Sequence, residues 1–416
     1  MTWLTAPLRK VAPPIAAQIA FAPDDLVWQL SLDQIESETG EIVGKRYAAA
    51  SDAGTSTFYF DAGNVLYSKL RPYLNKVAIP EEAGIATTEL IPLRPDPKTL
   101  NPRFLSYYLR SPGFVNQASH HVAGAKMPRV VMDWFWEHEA PIPPPKEQSR
   151  IVELLDEADR LRRLRREADA KAARILPALF LKMFGDPATN PKGWTTLALR
   201  QVADTSSGGT PNTKEDNYYD GRIPWVKSGE LSQREVTSTE ETISVAGLVN
   251  SSAKWVEPDA VLIAMYGATV GQVSILKVRA TTNQAVCAIR VKQGLRSRYL
   301  VELLRLSKSL LLSKRVGGAQ PNISQQIIRD LQIMVPPDEL QLEFSERAEQ
   351  VERLLSHVEL AGRRIDQIFE RLLQRAFKGQ LTTRWREAHM QDLLVEVVQQ
   401  ARALNLTTSK ELGALS

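Results

Sequence analysis

The sequence contains the same series of short segments twice, about 195 residues apart, and this duplication constrains the fold more than any other feature. Trp28 in "LVWQLSLDQI" aligns with Trp225 in "IPWVKSGELS", and Thr87 aligns with Thr281. Further pairs follow in the same order: 64–79 with 260–275, 103–111 with 298–306, 124–130 with 317–324, and 181–186 with 374–381. A repeat of this length is a domain rather than a stacking module, so we predict two tandem domains.

Each copy is predicted to be a mixed α/β domain. Runs such as "NVLYSKL" and "AVCAIRV" have the length and β-branched content of strands, and Gly and Pro separate them. Residues 298–316 carry a leucine stripe typical of an amphipathic helix. Residues 103–122 form its weaker counterpart, interrupted at Pro112-Gly113.

A long helix is predicted after each domain. In the second copy, apolar or small residues recur every three or four positions from Phe344 to Ala376, which is a heptad seam; in the first copy the seam is thinner and Arg165 interrupts it. Proline clusters at 143–145 and 336–337 precede the helices, and Gly185 and Gly379 follow them. Because neither helix can bury its stripe against a small domain alone, we expect the two helices to pack on each other.

The predicted boundaries follow from these signals. We assign the first α/β domain, the central helix, the second domain, the C-terminal helix and an amphipathic tail to residues 1–145, 146–186, 187–337, 338–379 and 380–416. The tail either packs on the first domain or binds a partner. The arginine run 160–174 is nearly balanced by acidic neighbours, which favours a solvated face or a docking surface over a phosphate site.

Composition narrows the possible environments and partners. The chain has 416 residues, a net charge of +4 and one cysteine, Cys287, so a disulfide framework is excluded and a buried, inert thiol is expected. A mildly basic protein is compatible with nucleic acid without requiring it. The start of the chain does not resemble a signal peptide, and no stretch of about 18 apolar residues predicts a membrane span.

The order of these parts resembles the specificity subunit of type I restriction–modification enzymes. The resemblance is carried by "SSGGTPNTKEDNYYDGRIPWVKSGEL" (206–231), "PIPPPKEQSRIVELLD" (141–156) and the two helices, and it covers about 3–378. The first copy lacks the "GGTP" text, and "DNYYDG" (216–221) departs from the family's Tyr-Trp.

This resemblance implies a fold and a function. Two α/β target-recognition domains, separated by antiparallel helices with pseudo-twofold symmetry, would each read one half of a bipartite double-stranded DNA target. The helices would dock modification subunits, and restriction subunits would carry the motor and nuclease. S-adenosylmethionine, ATP and Mg would be bound by those partners, and this chain would bind no cofactor, metal or membrane. The expected location is the prokaryotic cytoplasm.

The residues give no independent sign of catalysis. We find no Gly-x-x-x-x-Gly-Lys-Ser/Thr loop, and "NPKGW" is not a methyltransferase motif. The five histidines are scattered, without metal-ligand spacing. A DNA-modifying enzyme, either nuclease or methyltransferase, with unrecognised motifs remains the alternative, and a dimeric coiled-coil scaffold is a weaker one.

Candidate DNA contacts are basic, amide, hydroxyl and aromatic residues in loops between predicted strands. In the first domain they are Lys45, Arg46, Tyr47, Lys69, Arg71, Tyr73, Lys76, Lys126 and Arg129. In the second they are Thr210, Asn212, Lys214, Tyr218, Tyr219, Lys227, Ser228, Tyr266, Asn283, Gln284, Gln320 and Asn322. The stretch "YSKLRPYLNK" combines three basic residues with two aromatic residues, which favours DNA. The stretch "GGAQPN" recurs in both halves, which argues for a structural turn.

Overall fold

The computed structural model describes residues 3–313 and 322–406, so the predicted contact Gln320 lies outside the described residues. The chain divides into two compact units. Unit 1 comprises residues 1–166 and 361–416, and unit 2 comprises residues 167–360. Within the described part of the chain, no helix is both long and apolar enough to cross a membrane.

Strands dominate the region before each long helix. In unit 1 they are β1 (Leu4–Pro7), β2 (Leu26–Leu30), β3 (Tyr47–Ala49), β4 (Thr57–Phe60), β5 (Val65–Ser68), β6 (Val77–Ala78), β7 (Gly84–Thr87), β8 (Leu90–Leu93), β9 (Val122–Ala123), β10 (Arg129–Val130) and β11 (Glu139–Ile142). In unit 2 they are β12 (Thr196–Ala198), β13 (Ala203–Ser207), β14 (Tyr219–Val226), β15 (Glu235–Val236), β16 (Glu241–Ile243), β17 (Trp255–Val256), β18 (Val261–Ala264), β19 (Val273–Leu276), β20 (Ala280–Thr282), β21 (Val286–Val291) and β22 (Gln332–Met334).

The helices follow the same double pattern. They are α1 (Leu8–Val11), α2 (Pro102–Leu109), α3 (Pro112–His120), α4 (Met132–Glu137), α5 (Pro145–Ala172), α6 (Ile175–Phe184), α7 (Leu199–Val202), α8 (Val245–Val249), α9 (Ser297–Leu306), α10 (Lys308–Ser313), α11 (Gln325–Arg329), α12 (Asp338–Phe377), α13 (Thr383–Ala388) and α14 (Met390–Ala403).

The sheet topology confirms the duplication. In unit 1 one sheet has the order β3-β2-β7-β4, with β2 and β7 parallel, and a second has the order β6-β5-β8. In unit 2 the corresponding sheets are β16-β14-β20-β17, with β14 and β20 parallel, and β13-β21-β18-β19-β15. In the parallel pairs Trp28 lies opposite Gly84 and Trp225 lies opposite Thr281, so this register does not reproduce the predicted alignment of Thr87 with Thr281. The predicted mixed α/β class is therefore correct for both copies.

A buried glutamine fixes the start of each long helix in the same way. Gln148 accepts a hydrogen bond from Asn101 N (2.7 Å), and its Nε2 donates to the carbonyls of Thr99 (2.9 Å) and Pro143 (2.7 Å). Gln341 accepts from Arg296 N (3.0 Å) and donates to the carbonyls of Gly294 (3.0 Å) and Pro336 (2.8 Å). Both side chains are fully buried. This glutamine clamp explains the recurring glutamine after each proline cluster, because it satisfies backbone groups that would otherwise be buried without partners.

The two long helices meet in unit 1 and run antiparallel there. The beginning of α5 lies near the residues after α12, since Glu147 accepts from Thr382 Oγ1 at 2.6 Å. Further along α5, Arg162 pairs with Asp366 (2.8 Å) and covers the ring of Phe369 (4.2 Å). Phe369 is buried with Ile151 and other apolar residues of α5, as the heptad seam predicts.

The predicted first helix is wrong in one respect, because it is two helices rather than one. α5 ends at Ala172 and α6 begins at Ile175. Pro177 lies in the first turn of α6, where it needs no N–H partner, but in a continuous helix its ring would collide with the carbonyl of Ala173. Residues 298–316 also divide, into α9 and α10 at Ser307, and their last three residues lie outside the described ranges.

Within unit 2, α6 packs on the beginning of the unbroken α12. The rings of Phe180 and Phe184 each lie 5.5 Å from that of Phe344, and all three side chains are buried with Tyr299. α12 extends over 40 residues as predicted, with Gly362 inside it. Edge-to-face aromatic contacts of this kind add to the burial of apolar area.

The described part of the tail packs on unit 1, which decides between the two possibilities left by the sequence. Leu393, Val397 and Ala401 of α14 are buried, and Gln400 donates to the carbonyls of Thr99 (2.7 Å) and Pro143 (3.1 Å). These are the same carbonyls that accept from the glutamine clamp.

A buried carboxylate connects the tail to the rest of unit 1. Glu147 is fully buried and accepts from Trp3 Nε1 (3.0 Å), Thr382 Oγ1 and Arg386 Nε (2.8 Å). A buried carboxylate is tolerated only with such partners.

Candidate nucleic-acid interface

Three chain segments are joined by the same backbone hydrogen bonds in each unit, and we call this arrangement the loop clasp. In unit 1, Lys69 N donates to Glu89 O (3.0 Å) and Lys69 O accepts from Val130 N (2.9 Å). In unit 2, Met265 N donates to Ala285 O (2.8 Å) and Met265 O accepts from Ile323 N (2.7 Å). In unit 1 the clasp therefore holds the loop after β5 against the segment "GAKMPRV". In unit 2 it holds the loop after β18 against the residues immediately before α11.

In unit 1 the loop clasp assembles several of the predicted contacts. Arg71 N donates to Pro128 O (2.7 Å), which places "SKLRPYL" beside "GAKMPRV". The side chains of Lys69, Arg71 and Lys126 have no hydrogen-bond or ion-pair partner among the described residues, and Tyr73 is 55% exposed. The result is a group of unpaired cations beside an exposed aromatic ring, as expected for binding to a nucleic-acid backbone and bases.

Arg129 holds this group in place. Its Nε lies 3.0 Å and its Nη2 2.7 Å from Glu89 Oε1, and the hydrogen bond to Glu89 raises the pKa of the guanidinium. This pairing makes Arg129 a support for the clasp, because its charge is already neutralised by Glu89.

The turn after Lys69 contains two left-handed residues whose counterparts in unit 2 are glycines. Arg71 has φ 50° and Asn75 has φ 49°, whereas Gly267 has φ +84° and Gly271 has φ +75°. The turn itself is the same, since Leu74 N donates to Arg71 O (2.8 Å) and Val270 N to Gly267 O (3.2 Å). Asparagine tolerates this conformation, but for arginine it costs about 1–2 kcal/mol relative to a right-handed backbone.

The other predicted contacts of unit 1 are paired internally. Lys45 lies 2.8 Å from Glu82, which also accepts from Tyr47 (2.5 Å), and the hydrogen bond to Glu82 raises the pKa of Lys45. Arg46 pairs with Asp33, and Lys76 donates to Leu32 O (2.7 Å). Lys45, Arg46 and Tyr47 thus belong to a network around β3, and Lys76 supports a loop.

A cleft of about 700 Å³ lies over the sheet β3-β2-β7-β4. Arg46 and Tyr47 line it with polar residues that we did not predict, among them Gln29, Thr57 and Thr87. The alternation of side chains along β2 and β7 is the signal that could have indicated them, since every second residue faces one side of a sheet.

In unit 2 the described residues of the loop clasp include a polar group of hydroxyl and amide side chains. Thr210 Oγ1 donates to Gln284, and Gln284 also forms a hydrogen bond with Tyr266. Asn322 is exposed and adjoins Ile323, whose N–H is bound by Met265. Burial raises the pKa of Tyr266, so its hydroxyl stays protonated and available as a donor.

The remaining predicted residues of unit 2 divide between exposed and structural positions. Asn212 and Lys214 are exposed. Tyr219 donates to Pro211 O (2.8 Å) and packs against Trp225, and Lys227 pairs with Glu241. Asn283 Oδ1 accepts from Ala285 N (3.2 Å), and Tyr218 and Ser228 lie in short 3-10 turns or at their ends. These contacts identify Tyr219 and Asn283 as supports of the loops.

The described residues contain no group of three or more His, Cys, Asp or Glu side chains that could hold a metal ion. Cys287 is buried in β21, and burial raises the pKa of its thiol to about 12. A thiol in this environment is a weak nucleophile at neutral pH.

Fold and site together define a class, namely a tandem α/β protein with two equivalent loop assemblies and a long helical segment after each repeat. The sequence model described as "Type I restriction modification DNA specificity domain" matches residues 52–171 and 191–368. The chain therefore belongs to the family of type I restriction–modification DNA specificity domains, as the sequence resemblance predicts.

Individual relatives agree with this family. The chain is 27% identical over 156 residues to the type I restriction enzyme MjaIX specificity subunit of Methanocaldococcus jannaschii, covering 36% of each chain. It is 25% identical over 196 residues to the HindI specificity subunit of Haemophilus influenzae, covering 46% of this chain and 42% of that one. The matches thus span less than half of the length of these relatives. With the StySPI specificity subunit of Salmonella potsdam it shares 23% identity over 71% of this chain and 68% of that one.

Solved structures agree on the fold. One chain, from a structure described as the "structural basis underlying complex assembly and conformational transition of the type I R-M system", has a TM-score of 0.59 at 20% identity and covers 91% of this chain and 98% of its own. The type I restriction–modification S subunit of M. genitalium has a TM-score of 0.53 at 12% identity, with 91% and 96% covered.

Proposed function

We propose that the chain is the non-catalytic DNA-recognition subunit of a type I restriction–modification complex, with each unit reading one half of a bipartite double-stranded target. The observation that carries the proposal is the loop clasp. The same backbone frame occurs twice and presents different side chains: unpaired cations and Tyr73 in unit 1, and Thr210, Gln284 and Tyr266 in unit 2. Two frames of one shape with different polar surfaces are suited to read two different short sequences.

The partners follow from this role. The long helices α5 and α12 would dock modification subunits, and restriction subunits would join the same complex. S-adenosylmethionine, ATP and Mg would be bound by those partners, and catalysis would be theirs. Among the described residues, exposed apolar side chains on the helices, such as Leu161, Leu164 and Leu354, supply surface for such docking.

A domain exchange tests the proposal. Residues 193–335 are replaced by the equivalent domain of a relative with a different target, and the methylated sequence is determined in cells that also express the modification subunit. One half of the methylated sequence should change completely while the other half stays the same. A change in both halves would contradict independent reading by the two units.

A second measurement separates the proposal from the alternative enzyme. The purified chain alone, incubated with duplex DNA and S-adenosylmethionine, should transfer no methyl group and cut no strand. Methylation or cleavage that persists with the pure chain would support a DNA-modifying enzyme instead.

A further inference from the structure

We infer that Arg71 is a sequence-reading residue of unit 1 and that it recognises a guanine in the major groove, donating from Nη1 and Nη2 to O6 and N7. The inference rests on the function proposed above and names the base that one residue reads. It begins with the backbone: Arg71 is left-handed at a position where unit 2 makes the same turn with Gly267. The fold therefore does not require this side chain, and glycine would suit the backbone better.

The guanidinium of Arg71 differs from those of the other arginines of residues 3–145, because it has no partner among the described residues. Among the arginines of residues 3–145, the others each contact an acidic side chain or a carbonyl: Arg9, Arg46, Arg94, Arg103, Arg110 and Arg129. Arg71 has no such partner among the described residues, and its Nε is buried without a hydrogen bond. Because Nε is enclosed, Nη1 and Nη2 are the donors left for a ligand, and they form a flat fork of two parallel N–H groups.

The backbone that carries this fork is held by the clasp. Arg71 N donates to Pro128 O (2.7 Å), and Arg71 O accepts from Leu74 N (2.8 Å). A backbone held on both sides reduces the conformational entropy lost on binding, which matters for a reader that must discriminate among bases.

A base is a better match for this fork than a phosphate, and comparison of the two units is the reason. A phosphate contact needs only a positive charge within reach, which a flexible lysine such as Lys69 can supply, whereas a base contact needs a planar fork of donors. A residue that reads a base should differ between copies that read different sequences. Arg71 has a long charged side chain, whereas its counterpart Gly267 has no side chain. Guanine is the base whose major-groove edge presents two adjacent acceptors to an arginine fork.

The test compares four forms of the full chain, each expressed with the modification subunit: wild type, Arg71→Gly, Arg71→Lys and Asn75→Gly. Asn75→Gly is the matched control, because it relaxes the other left-handed residue of the same turn. We expect the wild-type target to contain a guanine in the half read by unit 1. Arg71→Gly should lower discrimination at that single G·C pair by about 10- to 100-fold, which corresponds to one bidentate contact.

The variants separate guanine reading from other roles. Arg71→Gly should unfold at the same temperature as wild type or higher, because glycine relieves the left-handed strain. Arg71→Lys should keep the charge but lower the discrimination, because an ammonium lacks the planar fork. Asn75→Gly should keep the wild-type target. A second readout is binding of the full chain to a duplex with 7-deazaguanine at that position. Wild type should lose affinity and Arg71→Gly should not, because the modified base lacks N7.

Four results would overturn the inference: an unchanged target in Arg71→Gly, full discrimination in Arg71→Lys, the same loss in Asn75→Gly, or a unit 1 half-site without guanine. Uniform weakening on all sequences would show a phosphate contact instead. The proposed function fails on a different result, namely a wild-type complex that does not methylate a split sequence.

Discussion

Unit 1 and unit 2 share a backbone frame but differ in the side chains that they place on it, and the comparison separates support from recognition. The glutamine clamp, the parallel strand pair and the loop clasp occur in both units. Arg71 and Gly267, or Lys69 and Met265, occupy equivalent positions with unrelated chemistry. Features present in both copies serve the fold that the copies share. Features that differ are free to serve what each copy recognises.

The tail is the other main difference between the units. In unit 1, α14 covers the carbonyls of Thr99 and Pro143 and so adds a second donor, Gln400, to the clamp. In unit 2 the corresponding carbonyls of Gly294 and Pro336 accept from Gln341, and no second side-chain donor reaches them among the described residues. Likewise, the position after the proline cluster is the buried carboxylate Glu147 in unit 1 and the apolar Leu340 in unit 2.

The largest effect is expected from Glu147→Ala. The substitution leaves Arg386, Trp3 and Thr382 without their shared acceptor, and breaking a buried charge pair costs about 3–5 kcal/mol of unfolding free energy. Denaturant unfolding measures the cost, and limited proteolysis should show earlier cleavage within 380–406. The control is Leu340→Ala, which removes a partly buried side chain and should cost less. Equal costs would mean that the carboxylate does not hold the tail.

The glutamine clamp should be more sensitive in unit 2 than in unit 1. Gln341→Ala leaves one N–H and two carbonyls without their side-chain partner. The hydrogen bond to the Pro336 carbonyl is buried, and a buried unsatisfied group costs about 1–3 kcal/mol. Gln148→Ala should cost less, because Gln400 still donates to both carbonyls there. Denaturant unfolding of each variant gives the comparison.

Removing the second donor sharpens this result. Adding Gln400→Ala to Gln148→Ala should raise the cost in unit 1 toward that in unit 2, by more than the sum of the single effects. Simple additivity would show that Gln400 does not substitute for the clamp.

A smaller effect is expected from Lys69→Glu on DNA binding. Loss of one phosphate contact should lower the affinity of the assembled complex for all sequences and reduce the salt slope by about one. Titration of the complex against a duplex target at several salt concentrations measures both quantities. Lys98→Glu is the control, since Lys98 is an exposed lysine of unit 1 that lies outside the loop clasp. An unchanged slope would remove Lys69 from the interface.

The smallest effect is expected at Cys287 in unit 2. Since burial raises the pKa of the thiol to about 12, almost no thiolate exists at pH 7, and iodoacetamide should not react with the folded chain. Mass spectrometry should find alkylation only after denaturation. Rapid labelling of the folded chain would show that β21 opens in solution.

The sequence alone determined the repeat, the domain class and the two helix beginnings. Repeated text survives because both copies must form the same backbone, and the proline clusters and the heptad seam act through local geometry. The candidate residues were predicted with less success. Lys45, Arg46 and Lys76 are residue types expected at a DNA-binding surface. Their side chains are instead paired within the protein, with Glu82, Asp33 and the carbonyl of Leu32, respectively. Those partners lie 13 to 44 residues away along the chain, and no local sequence pattern indicates such pairings.

Only the tertiary structure decided the rest, because it depends on which segments meet. The sequence placed Gln148 and Gln341 in the first turns of helices. Their role as clamps follows only from the tertiary structure, which places three backbone groups within hydrogen-bond distance of each glutamine. The tertiary structure also places the tail on unit 1, through the contacts of Gln400 and Arg386. The amphipathic pattern of the tail does not indicate which surface it packs on. Finally, the structure shows that the backbone of Arg71 has a left-handed conformation, which is typical of glycine. The conformation of one residue follows from the contacts of Pro128 and Leu74 with its main chain, and not from the identity of its side chain.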